Sequence, residues 1–185
     1  MSTGTLLAII IPVAVVLAVI AAAAFLGLRR KRLRERFGPE YERTVEDTGS
    51  RLAAERDLSE REKHHDALDI KPLPGDVRDR YSRDWNNVQG EFVDRPEDAV
   101  QDADLLVTSL MRERGYPTDD LAQRIRDLSV EHGRTIEHYR AAHEVNQLSM
   151  KHQATTEQLR GAMVHYRALF DELLSDGGQA HRTPA

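Results

Sequence analysis

The hydrophobic pattern changes character three times along the chain. Residues 6–28 (LLAIIIPVAVVLAVIAAAAFLGL) form one unbroken apolar run without a charged side chain. As a helix, this run spans roughly 34 Å, enough to cross a hydrocarbon core of about 30 Å. Pro12 sits near its outer end, where a kink is easiest to accommodate. The run is therefore read as a transmembrane helix preceded by a short extracytoplasmic tail, residues 1–5.

Beyond it, Phe37-Gly38-Pro39 predicts a helix break. Pro39 then suits the first turn of a new helix, and Glu40 and Glu42 complement its positive N-terminal end. Tyr41, Val45, Thr48 and Leu52 make a short heptad seam, but Glu55, Ser59 and Glu62 occupy the next seam positions, so no sustained coiled coil is expected. Residues 53–66 (AAERDLSEREKHHD) read as a charged, solvated helix carrying alternating signs. The segment 29–68 is thus expected to be a stalk, ~45 Å long if helical from Pro39 to Leu68.

Asp69-Ile70-Lys71-Pro72-Leu73-Pro74-Gly75 marks the next boundary. From there the period is helical throughout. Val77, Tyr81, Trp85, Val88 and Phe92 fall within an arc of roughly 80°. Asp94 is read as the N-cap of a second helix with Pro96, Glu97 and Asp98 in its first turn. Its stripe is Ala99, Ala103, Leu106, Val107, Leu110 and Met111, and Gly115 with Pro117 ends it. Thr118 or Asp119 can cap a third helix presenting Leu121, Ile125 and Leu128. A fourth follows Gly133. A fifth opens at Thr155, with Gln158 completing a capping box, and presents Leu159, Met163, Tyr166, Phe170 and Leu173. No stretch alternates with period two. The predicted fold is all-α: a membrane helix, a helical stalk, a bundle of about five amphipathic helices over residues 69–174, and a disordered polar tail, 175–185.

Charge sharpens this picture. The formal net charge is −5, yet residues 29–36 (RRKRLRER) hold six basic side chains against one acid, which leaves 20 basic against 30 acidic in residues 37–185. The block Arg29, Arg30, Lys31, Arg32, Arg34 and Arg36 fixes topology. It places the N-terminus outside and the remainder in the cytoplasm, anchored in the cell membrane. The same charges can touch anionic lipid. A cleavable signal peptide is the rival, supported by Ala21 to Ala24. It lacks the basic n-region, because MSTGT carries no Lys or Arg. Ala14, Ala18 and Ala22 repeat every four residues, a spacing that admits a homodimer through the membrane helix; alanine is also simply common there.

The chemistry is sparse. With no cysteine, disulfides, thiolate zinc sites and cysteine nucleophiles are excluded. There is no glycine-rich phosphate loop, nucleophile elbow or His-Glu-x-x-His pair, so no enzyme class is indicated. Glu62 and His65 give one Glu-x-x-His match, short of the two such motifs a di-iron bundle needs, and no metal or cofactor is implied. An acidic balance disfavours nucleic acid, apart from a local basic group at Arg124, Arg126 and Arg134 that nothing else marks.

The fourth bundle helix is the anomaly. Its face reads Ile136, Tyr139, His143, Asn146 and Met150, with Gln147 beside it. Polar groups on such a stripe must find partners. Either they form a ligand site with His143 as ligand, acid/base or pH sensor, or they form a closed interior network, or the helix ends near Val145 and frees Asn146. A short echo, His138-Tyr139-Arg140-Ala141 and His165-Tyr166-Arg167-Ala168, puts both tyrosines on the apolar stripe and both histidines off it. An Arg-Tyr ligand clamp is the sharper reading of the echo.

The strings RFGPEYERTV (36–45), LDIKPL (68–73), ERGYP (113–117), DLSVEH (127–132), EHYRAAH (137–143) and ATTEQLRGAMVHYRALFDELL (154–174) resemble a family of single-span actinobacterial proteins of unassigned function, often labelled membrane or secreted. The resemblance covers most of residues 29–174 and implies topology and compartment, with no activity. Its secreted label runs against the orientation given by the charge asymmetry. The expectation is a membrane-anchored helical interaction module with a protein partner. The alternative is a tethered sensor with a site at Tyr139, His143, Asn146 and Gln147.

Overall fold

A computed structural model describes residues 3–175. Eight helices follow one another: α1 (Thr3–Phe37), α2 (Pro39–Thr48), α3 (Arg51–Asp66), α4 (Gly75–Glu91), α5 (Pro96–Arg114), α6 (Leu121–Glu131), α7 (Ile136–Ser149) and α8 (Thr156–Ser175). No strand occurs among the described residues. The tail anticipated for 175–185 lies, apart from Ser175, outside the described residues, as do residues 1 and 2 of the N-terminal segment. The chain divides into two compact units, one ending at Leu58 and the other beginning at Ser59.

In the first unit, the stretch Val13–Phe37 of α1 is long and apolar enough to cross a membrane, and its most apolar part is not buried within the protein. Phe25 and Leu28 are about two-thirds exposed, and Ala14, Ala18 and Ala22 are exposed as well. An apolar face of that extent is unstable in water and points to a nonaqueous surrounding. Gly38, at φ +54°, breaks the helix where expected, and Pro39 opens α2 with Glu40 and Glu42 in its first turn.

The stalk departs from expectation. It is not one helix: Gly49 takes a left-handed conformation (φ +64°) as the C-cap of α2. The heptad phase resets there, so Tyr41 is buried while Thr48 and Leu52 are exposed. Nor is residue run 53–66 wholly solvated, since Ala54, Glu55, Leu58 and His65 lie buried. Glu55 accepts from Arg30 Nε at 2.8 Å and from the Tyr41 hydroxyl at 3.0 Å. Burial alone would raise its carboxyl, but these two hydrogen bonds prevail and hold it below the ordinary glutamate range. Arg34 pairs with Glu42 at 2.6 Å and lies over the Tyr41 ring. Two cations of the basic block are therefore engaged within the first unit itself.

The second unit holds the bundle, and all five predicted helices are present. By contact this unit starts at Ser59, and Leu68 packs on its core. That core takes Tyr81 and Trp85 from α4, Val107, Leu110 and Met111 from α5, Leu128 from α6, Ile136 and Tyr139 from α7, and Leu159, Tyr166, Phe170 and Leu173 from α8. Trp85 stacks on Phe170 with ring centroids 4.7 Å apart. The capping box at Thr155 forms, with the Thr155 N–H donating to Gln158 and the Gln158 N–H returning to Thr155 Oγ1. Two other caps differ. Pro96 follows Arg95, not Asp94, at the N-cap of α5, and no side chain closes it. Asp120, not Thr118 or Asp119, caps α6 by accepting from the Gln123 N–H at 2.9 Å. Its extended backbone suits the N-cap role.

Candidate functional site

The sequence-predicted site on α7 takes shape where α5, α6, α7 and α8 converge. Tyr139 is fully buried, and its hydroxyl accepts from Arg124 Nη1 at 2.7 Å. The same guanidinium donates to Thr108 Oγ1 at 3.1 Å and to the Thr118 carbonyl at 2.5 Å. Arg124 is thereby drawn into the bundle and not offered to phosphate. Burial, reinforced by Asp104, raises the Tyr139 phenol, and the same two causes raise Tyr166 further. Both hydroxyls stay protonated.

Asp104 on α5 accepts from the Tyr166 hydroxyl at 2.9 Å, and His143 Nδ1 faces the same oxygen at 3.4 Å. On the other side of the ring, Gln147 Nε2 lies 3.3 Å from His143 Nε2. A neutral imidazole protonated on Nδ1 satisfies both contacts. Tyr139, His143 and Gln147 are thus brought together, with His143 between Gln147 and Asp104 and its ring 6.1 Å from that of Tyr139. The aromatic rings of Tyr139 and Tyr166 meet edge-on at 6.2 Å.

Asn146 stands apart. The helix continues to Ser149, so Asn146 is buried instead of solvent-facing, and its Oδ1 has no partner. Met150, placed by the sequence on the buried stripe, is half-exposed, and Ser149 takes the interior position one residue earlier.

The echo between α7 and α8 is a contact. As Tyr139 meets Tyr166, His138 stacks on His165 with centroids 5.0 Å apart and Nδ1 atoms 2.9 Å apart. Burial, and then the neighbouring His138, lower the His165 imidazole. Of the echoed arginines, Arg167 lies over Trp85 and pairs with Asp171 at 2.7 Å, and Arg140 pairs with Glu137.

A second polar cluster had no signal in the sequence. His132, almost fully buried at the end of α6, places Nδ1 3.0 Å from Glu172 of α8 and Nε2 3.5 Å from the Tyr116 hydroxyl. Thr135 also donates to Glu172. Tyr116 donates to Glu131 at 3.3 Å, and the buried His65 ring lies 6.1 Å from Tyr116. Nearby, Asp127 is fully buried, accepts from Gln123 Nε2 at 2.8 Å, and lies 3.6 Å from His64. Its burial raises the carboxyl above the usual aspartate range. A carboxylate, an imidazole and a phenol in series can relay a proton; here the buried imidazole and phenol run between two partly exposed carboxylates, and the series ties the end of α6 to α8. Residues 64, 65, 132 and 172 are too scattered for any local motif to link them. Among the described residues, no group of three or more His, Cys, Asp or Glu side chains is placed to hold a metal ion.

Elsewhere in the bundle, a half-open cavity of about 350 Å³ is lined by Trp85, Gln89 and Phe92 of α4 with its C-terminal turn, and by Arg160, Met163, Val164 and Arg167 of α8. No known protein family, curated protein or solved structure matches the chain.

Proposed function

We propose that this protein is a single-pass, membrane-anchored helical interaction module whose bundle faces the cytoplasm and presents a docking surface to a protein partner. The observation that carries the reading is the exposed apolar length of α1 running directly into the basic block at Arg29–Arg36. Such a helix is stabilised by a bilayer, and the adjoining positive charge favours retention on the cytoplasmic side. The bundle, with its own core and polar networks, supplies a scaffold. A tag after Ala185, probed by protease in intact spheroplasts, tests the orientation: protection supports it, and digestion refutes it. Capture of partners from cells, comparing the full chain with a version lacking 69–185, tests the interaction role. Identical recoveries would remove the bundle as the binding element.

The sensor reading draws support from one observation, the meeting of Tyr139, His143 and Gln147, with Asp104 against His143, at the partly exposed edge of the bundle. It requires a small molecule or metal that raises the bundle's melting temperature, and a His143→Ala variant that stays folded but loses the response. An unchanged response would place the site elsewhere.

A further inference from the structure

The polar groups around His143 engage one another, whereas one buried donor beside the cavity between α4 and α8 lacks an acceptor. Trp85 is 2% exposed, lines the cavity, and its indole Nε1 has no partner within the protein. That nitrogen is itself buried and out of reach of the cavity, so the argument for a ligand rests on the cavity's walls. The remaining walls specify its chemistry. Phe92, Met163 and Val164 are apolar, and Val164 is largely exposed, so an apolar ligand gains by covering it. Arg160 and Arg167 flank this surface as its charged lining residues, and Arg167 lies 5.6 Å over the Trp85 ring.

The two arginines are not locked away. Arg160 pairs with Glu157 and Arg167 with Asp171, but both guanidiniums are about half exposed, where such pairs contribute only about 0–1 kcal/mol. Each guanidinium also carries five donors, more than one carboxylate can occupy. A cavity of about 350 Å³ lies near the lower end of the range for small-molecule sites, which suits one apolar arm and not a two-chain lipid.

We propose that this cavity binds a small organic anion, an apolar or aromatic arm bearing one carboxylate or comparable anionic group. Arg160 and Arg167 hold the anionic end, and Met163 and Val164 cover the arm beside Trp85. The site is separate from the Tyr139–His143 network and needs neither the membrane orientation nor a protein partner.

Trp85 is the single tryptophan of the chain, so its emission reports the site directly. The full chain in dodecyl maltoside micelles is titrated with 4-phenylbutyrate, and in parallel with the neutral 4-phenylbutanol. A saturable change in Trp85 emission is expected with the acid. The alcohol, and the double variant Arg160→Gln/Arg167→Gln titrated with the acid, should each bind about tenfold more weakly, the effect of losing one charged hydrogen bond at a half-exposed site. Circular dichroism verifies that the variant remains helical. A second arm replaces the acid with phosphatidylglycerol in the micelle. An arginine-dependent response there, rather than to the acid, overturns the proposal, because the cavity has no room for a two-chain lipid. No saturable change in either arm, or equal binding of acid and alcohol, overturns the proposal.

Discussion

Gly115→Ala should destabilise the bundle by about 2 kcal/mol, although it adds one methyl group at an exposed position. Gly115 ends α5 in the left-handed region, at φ +98°, and its N–H bonds back to Arg112 and Met111. A residue with a Cβ loses about 1–2 kcal/mol in that conformation. The space is also occupied: an added Cβ would lie 2.4 Å from the Asp69 carbonyl oxygen and 3.3 Å from its carbon. That carbonyl is backbone and cannot rotate away as a side chain would. Its segment is held by the Lys71 N–H donating to the Arg114 carbonyl at 2.8 Å, and Ile70 packs on the core. Relieving the overlap therefore sacrifices about one hydrogen bond, ~1 kcal/mol. Against this, alanine restricts the unfolded chain and recovers about 0.5–1 kcal/mol.

The comparison is Gly161→Ala, inside α8, where an added Cβ meets nothing within 4 Å. It should stabilise by about 0.5–1 kcal/mol. Urea unfolding of the full chain, followed by Trp85 emission, measures both changes on the bundle, to which the only indole belongs. If Gly115→Ala lies within about 0.5 kcal/mol of the parent, or if both variants shift the same way, the account of this turn is wrong.

Three further predictions follow from the buried polar groups. Asp104→Ala should cost about 1–3 kcal/mol by leaving the Tyr166 hydroxyl without its acceptor, and a cycle with Tyr166→Phe should show coupling above about 0.5 kcal/mol; additive losses would show that the bond does not stabilise the bundle. Because His165 is lowered in the fold, the unfolded chain binds its proton first; stability is fully present above the ordinary histidine value and falls as pH drops through the folded one. His165→Asn should flatten that decline in thermal melts between neutral pH and pH ~5, and an equally steep decline would count against the stacked pair. Asp127 is raised, so its burial costs nothing below the ordinary aspartate value and the full penalty above the folded one. Asp127→Asn should therefore gain stability over the parent as pH rises through that window, and a constant difference across pH would reject this assignment.

The elements that were legible in the sequence are those set by local chemistry. The apolar run of α1, the break at Gly38-Pro39, the five bundle stripes, the glycine end of α5 and the Thr155–Gln158 box each depend on residues within a turn or two of one another. Where local signals were nearly equivalent, the reading slipped by a residue or two. Asp120 won the cap of α6 from Thr118 and Asp119 because only its carboxylate reaches the Gln123 N–H. Gly49 was passed over within a charged stretch that any solvated helix can have, yet its left-handed turn breaks the stalk in two.

The candidate sites depended on a different kind of information. The sequence singled out Tyr139, His143, Asn146 and Gln147 because polar residues on an apolar stripe conflict with simple burial. It could not show that Asp104 and Tyr166, 62 residues apart, would complete that network, or that Asn146 would be left outside it. Glu172 beside His132 and Arg160 beside Trp85 were equally invisible. Periodicity along a helix determines which face is buried, since that follows from 100° per residue and the apolarity of the side chains. Which face of another helix it meets is decided by ridges, volumes and loop lengths acting across the whole bundle, and only that packing brings an indole and two arginines to one cavity.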